Sequence, residues 1–308
     1  MASVRPLVDE VCLLWTCAGP PWHIAPKGVD VVDYFDGCNA QADCPAGAPC
    51  GCKRGELLDF SAARTRSFAL ASGELRTYLD TDDTIEGAGD LRDLYKPDVA
   101  VFSPYAYAFD ELGRCTHRHY GPRVVDVTAR WSYPVHNVLR VERVTSVEHS
   151  DAFTWLHHRT PEGNAASGAR ALRMLQHWQA TPCFQHDARF AYYLGRAFLD
   201  VGKRGRASTE LERAFELETF RDQKCNIALD LARCFPPAFA LVWAHHALEI
   251  RPDWPAPWCM LARLYYRIGR HALARRFLAG AQDCAPAATA LAVDPTETER
   301  TAAMLGLS

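Results

Sequence analysis

The segment "LRTYLDTDDTI" gathers Asp80, Asp82 and Asp83 within four residues, at the end of a short β-prone run. Carboxylates this close can share a hard cation. Mg²⁺ and Mn²⁺ prefer oxygen ligands and commonly take one or two protein carboxylates plus the phosphates of a substrate. Such an ion neutralises charge that builds on a departing diphosphate. The same acids can also form a solvated turn that caps a helix. A second set is Cys38, Cys44, Cys50 and Cys52 in "CNAQADCPAGAPCGC". Four thiolates could bind zinc, but the paired C-x-x-C spacing is missing, and a loop with free thiols or a disulfide fits as well.

The acids need strands and helices to hold them. "VDEVCLLW", "GVDVVDYF", "LRTYLD", "PDVAVFSPYAYAF" and "RVERVTSVEHSDAFTWLHH" favour strands by their β-branched and aromatic content. Between them "DFSAARTRSFALAS" reads as a helix with Asp59 or Ser61 as its N-cap. Strand–helix–strand alternation over residues 1–164 predicts an α/β sheet domain. In the last of these runs, alternation puts Phe153, Trp155 and His157 on one face.

From residue 165 to 308 the texture turns helical and repetitive. "YLGRAFLDVGKRGRA", "NIALDLARCF" and "MLARLYYRIGRHALA" align, with small residues at Gly195, Ala228 and Ala262. A period of about 33–34 residues is that of a tetratricopeptide repeat, two antiparallel helices per unit. A non-repetitive helical bundle is the alternative. Repeat solenoids offer a binding face, so this half is expected to hold an acceptor protein or peptide, or to pair two protomers.

The 308 residues carry a net charge of -3, with 34 Lys+Arg against 37 Asp+Glu. This gives no general pull toward nucleic acid or an anionic membrane. Basic clusters at "RCTHRHYGPR", "GKRGR" and "RRF" keep a nucleic-acid partner open as a second choice. No apolar run reaches the roughly 18 residues of a transmembrane helix, and "MASVRPLVDE" lacks a signal-peptide core. The expectation is a cytoplasmic protein with no membrane partner.

Taken in order, four pieces resemble the family 2 glycosyltransferases: "DFSAARTRSFALASGELRTYLDTDDTI", "RWSYPVHNVLRV", "TWLHHRTPEGNAASGARALRMLQ" and the repeats. The resemblance implies a GT-A-like mixed sheet that binds a nucleotide sugar, UDP-linked by preference, followed by an all-α repeat domain. It implies Asp80, Asp82 and His157 (or His158) around Mn²⁺ or Mg²⁺, with Asp59, Arg64 and Asp80 on the donor side. Trp131 and His136 would face the acceptor, and transfer would be inverting. The chain departs from the family by lacking its usual first strand. Trp15 stands where an acid would contact the base, and Asn137 replaces the family's carboxylate base. An amide cannot take a proton, which leaves His136, Glu142 and Asp126 as substitute bases. The competing reading is a degenerate transferase domain joined to a repeat-based protein-interaction scaffold. A nucleotidyltransferase using the same acids is a third.

Overall fold

A computed structural model of the chain describes residues 5–15, 29–34, 57–80, 82–109, 115–142, 144–158, 161–285, 294 and 296–306. The four clustered cysteines lie outside the described residues. Contacts divide the chain into two units, Met1–Asn164 with Arg173–Trp178, and Ala165–Leu172 with Gln179–Ser308.

The first unit is mixed α/β. Strands β1 (Cys12–Trp15) and β2 (Val31–Tyr34) form a parallel pair. The helix expected after Asp59 is α1 (Phe60–Leu70), and Asp59 is its cap, accepting from the Ser61 and Ala62 amides. Strand β3 (Leu75–Thr77) leads into the acids, and β4 (Asp83–Gly87) leaves them. Next come β5 (Val99–Phe109), β6 (Cys115–Pro122) and β7 (Val124–Asp126). The hairpin β8 (Arg130–Ser132) with β9 (Val138–Arg140) follows, then β10 (Ser146–His149) and β11 (Phe153–His157).

Strand β5 organises the five-stranded sheet. It runs parallel to β10 and β11 and antiparallel to β6, and β11 pairs antiparallel with β4. Among the described residues, strand β3 lies outside that sheet and pairs with β7 alone. Alternation on β11 buries Phe153, Trp155 and His157, while Thr154 and Leu156 are half-buried. Phe153 and Trp155 join Ile85, Leu91, Leu94, Val101 and Val124 in one apolar cluster. A second cluster packs Phe68 of α1 against Val125, Ala129, Trp131 and Leu139.

Helix α2 (Pro161–Trp178) is followed by the short α3 (Pro182–Gln185). Three helix pairs then form the repeat array of the second unit: α4 (Ala188–Asp200) with α5 (Arg204–Leu217), α6 (Arg221–Cys234) with α7 (Pro237–Ile250), and α8 (Pro255–Arg267) with α9 (His271–Gln282). First helices begin 33 and then 34 residues apart, as do second helices. Helix α10 (Glu297–Met304) closes the array, with Ala302 and Leu305 packed among Ala262, Ala274 and Leu278.

Small side chains make the pairing possible. Ala207, Ala240 and Ala274 are each at most 1% exposed at equivalent positions of the second helices, and about two turns later Ala214, Ala247 and Ala281 are at most 2% exposed. On the first helices Gly195 holds the tightest approach: a β-carbon there would meet Leu211 Cγ at 2.7 Å and the Leu211 amide nitrogen at 3.2 Å. Ion pairs tie the turn that follows α7. Arg251 pairs with Asp222 and, through two nitrogens at 2.8 and 2.6 Å, with Asp253.

Crowding at Gly195 predicts that Gly195→Ala destabilises the repeat unit by about 1–3 kcal/mol through overpacking. Chemical denaturation followed by helical circular dichroism should show the loss, whereas Gly205→Ala, where the added carbon meets open space, should show none of it.

Candidate functional site

The turn between β3 and β4 carries the acids, and β11 brings the histidine. In the antiparallel register His157 lies opposite Asp83. The imidazole Nδ1 sits 2.7 Å from Asp83 Oδ1 and 3.5 Å from Asp82 Oδ1. Asp83 is buried; it also accepts from the Tyr105 hydroxyl at 3.1 Å and from the Asp80 amide at 3.0 Å. The turn is closed by the Asp83 amide donating to the Asp80 carbonyl and the His158 amide donating to the Asp82 carbonyl. Among the described residues Asp82, Asp83 and His157 are the set whose ligand atoms lie within 4.8 Å of one another.

Burial pushes the Asp83 carboxyl up. Hydrogen bonds from His157, the Asp80 amide and Tyr105, with the charge of the imidazole, outweigh burial and hold it below the ordinary carboxylate value. Asp83 is therefore an anion inside the protein, and its neighbours must neutralise it. The Tyr105 hydroxyl is held protonated by burial and by the negative charge of Asp83 and Asp80. On the ring face of Tyr105 lies Arg123, buried, with its Cζ 4.2 Å from that centroid and 4.9 Å from Tyr78. The guanidinium is attracted to these ring faces. Arg123 belongs to "RCTHRHYGPR", so one member of that basic cluster lies inside the protein. His117 and His119 from the same segment pack against the Tyr107 ring, and His119 also against Tyr105.

Several expected roles change. Asp80 was expected on the metal, but its carboxylate is taken by Arg64 at 2.8 and 3.0 Å, outside the three-residue set. Arg64 itself lies over Trp131 at 4.8 Å and Tyr78 at 5.4 Å, so it holds the turn against the aromatic cluster. Asp59, expected on the donor side, is 2% exposed and spends one oxygen on the α1 cap and the Ser61 hydroxyl. Trp131, expected to face an acceptor, is a core residue at 4% exposure, edge-on to Phe68 and Tyr78. Asp126, a candidate base, accepts from Thr128 and from Tyr95. His136 and Glu142 are exposed. Asn137 closes the β8–β9 turn through the Tyr133 carbonyl, in a loop where Tyr133 and His136 both take positive φ. Asp83 and Tyr105 had no assigned role in the sequence reading. The signal available for Asp83 was its spacing from Ile85, two residues on and therefore on the same, buried face of β4.

No family model and no curated protein matches the chain. Solved structures do, at low similarity. A crystal structure of MamA is 16% identical with a TM-score of 0.35, covering 39% of this chain and 70% of that one. The Pseudomonas aeruginosa pilF structure is 13% identical with a TM-score of 0.35, covering 47% and 69%. MamA from Desulfovibrio magneticus RS-1 is 15% identical with a TM-score of 0.21, covering 39% and 86%. These are tetratricopeptide-repeat proteins, and no glycosyltransferase stands among them. The family 2 glycosyltransferase resemblance is therefore corrected. Its four short pieces fall in the expected order, but the acids follow a strand outside the main sheet and Asp80 is paired with an arginine. The nucleotide-sugar donor, expected from that resemblance, is left without support. What the chain does carry is a mixed α/β unit and a C-terminal helical repeat array like that of tetratricopeptide proteins. Among the described residues no helix is long and apolar enough to cross a membrane.

The cluster predicts a large cost for Asp83→Ala, which strands the Tyr105 hydroxyl and the His157 imidazole. Unfolding in urea should show the sheet unit weakened by about 3 kcal/mol, against less than about 0.5 kcal/mol for the exposed Glu86→Ala.

Proposed function

We propose that the protein is a repeat-based interaction scaffold whose helical array docks another protein. The observation that carries this reading is the outer face of α7. Phe239 is 69% exposed and Val242 57%, three residues apart on one side of the helix, while Ala240, Ala244 and Ala247 on the other side are fully buried. Isolated exposed apolar side chains are ordinary, but an aromatic and a branched residue adjoining on one helix face is what a partner covers. A photocrosslinking residue in place of Val242, in the full chain in cells, is expected to trap one defined protein. Phe239→Glu should abolish the trapping, and the same residue in place of the exposed Arg275 on α9 should not produce it. Equal trapping at both positions, or none at either, sinks the scaffold reading.

A second reading, compatible with the first, places a divalent cation on the sheet unit. Its support is the convergence of Asp82, Asp83 and His157. Two carboxylates and an imidazole suit Mn²⁺ better than Mg²⁺, which favours all-oxygen shells rich in water. Asp82 and Asp83 would supply oxygens and His157 Nδ1 a nitrogen, and the ion would supply local positive charge for an anionic ligand. Titrating Mn²⁺ into the full chain should quench the free-ion paramagnetic resonance signal. Asp82→Asn, at a side chain 49% exposed and so tolerated by the fold, should restore that signal. Equal uptake by the variant rules the site out.

A further inference from the structure

Three guanidinium groups converge where the helix pairs turn. Arg204 opens α5, Arg233 stands in the last turn of α6 and Arg267 in the last turn of α8. Together they line a pocket of about 140 Å³ with Phe235, Met260 and Leu264. The three arginines are exposed, whereas Met260 and Leu264 are buried. Among the described residues one carboxylate touches any of the three: Asp230, whose Oδ1 lies 2.6 Å from Arg233. Neither Arg204 nor Arg267 makes an ion pair there.

Helix electrostatics explain part of this arrangement. Arg233 and Arg267 sit at helix C-termini, where the dipole welcomes a cation. Arg204 does not. It is the first residue of α5, after Lys203 at the cap position, with no side-chain cap and no acid in the first turn. Of the other second helices, α7 follows Pro236, whereas α9 follows Arg270 with no acid in its first turn. Cations at helix N-termini oppose the dipole, so the folded chain alone gives no reason for Arg204. An anion arriving from outside would.

We infer that this pocket docks an acidic peptide segment carrying an apolar side chain. The apolar side chain lies on Phe235, Met260 and Leu264, and flanking carboxylates pair with Arg204 and Arg267, which can each bind a carboxylate through two parallel hydrogen bonds. The inference rests on the scaffold reading and adds the partner's chemistry. Charge complementarity selects an acidic partner. The apolar floor selects a polypeptide over single-stranded nucleic acid, which needs a series of ring faces to stack on, where this pocket offers one.

The test is fluorescence anisotropy of the full chain with a fluorescein-labelled peptide of alternating leucine and glutamate pairs. Binding is expected, weakening with salt and falling by at least about tenfold in the Arg204→Glu/Arg267→Glu variant. Both residues are exposed, and an unchanged thermal transition confirms that the variant folds. A peptide with serine in place of leucine should bind at least about tenfold more weakly. The inference is overturned if the variant binds as tightly as the parent chain. It is also overturned if the serine peptide or a single-stranded DNA oligonucleotide of equal charge binds as well, which would mark a general polyanion surface. Loss of peptide binding by the parent chain alongside persistent crosslinking at position 242 removes this pocket's role and leaves the scaffold reading standing.

Discussion

Close approach of paired helices is the constraint on which the repeat unit depends. Helices can lie this near each other only where side chains are small, and Ala207, Ala240 and Ala274, with Ala214, Ala247 and Ala281, supply that at matching positions. Gly195 does the same where Leu211 presses closest. Because the small residues recur at one period, each pair stacks on the next in the same register, and everything else repeats with them. The turns within pairs recur along the array, bringing Arg204, Arg233 and Arg267 around one pocket. The outward sides of the second helices also recur, and on α7 that side holds Phe239 and Val242 in water.

The sheet unit depends on a different balance. Asp83 is a buried anion, and burying a charge is costly unless it is paired. Its pairing ties three strands together: His157 from β11, Tyr105 from β5 and the turn that enters β4. Arg123 and Arg64 add positive charge held over aromatic rings. The arrangement serves stability through its hydrogen bonds, and the half-exposed Asp82 leaves one side of it open to solvent. The same geometry that neutralises a carboxylate is therefore also one that a cation could use.

Much of the local structure was legible in the sequence. Asp59 followed by an apolar-spaced run gave α1 and its cap, since a cap is a contact between residues two or three apart. Alternation on β11 put His157 on the buried face, because a strand's faces follow from counting by two. The role of Trp131 was misjudged: an aromatic in a loop-like segment reads equally as ligand-facing or as core, and Phe68 and Tyr78, far off in the chain, decide which. The glycosyltransferase resemblance failed for a related reason. Short pieces in a familiar order constrain the order of elements, but not which strands pair.

By itself the sequence determined what is set by near neighbours and by period: the helix pairs, their 33–34-residue spacing, the cap of α1, the alternating faces of the strands and the position of the acids in a turn. The tertiary structure decided which acid does what. Asp80, Asp82 and Asp83 are alike in sequence, yet one meets Arg64 from α1, one faces solvent beside His157, and one is buried under Tyr105. Those partners lie 16 residues or more away along the chain. A carboxylate's charge state and availability depend on what surrounds it in space, and no spacing rule along the chain carries that information.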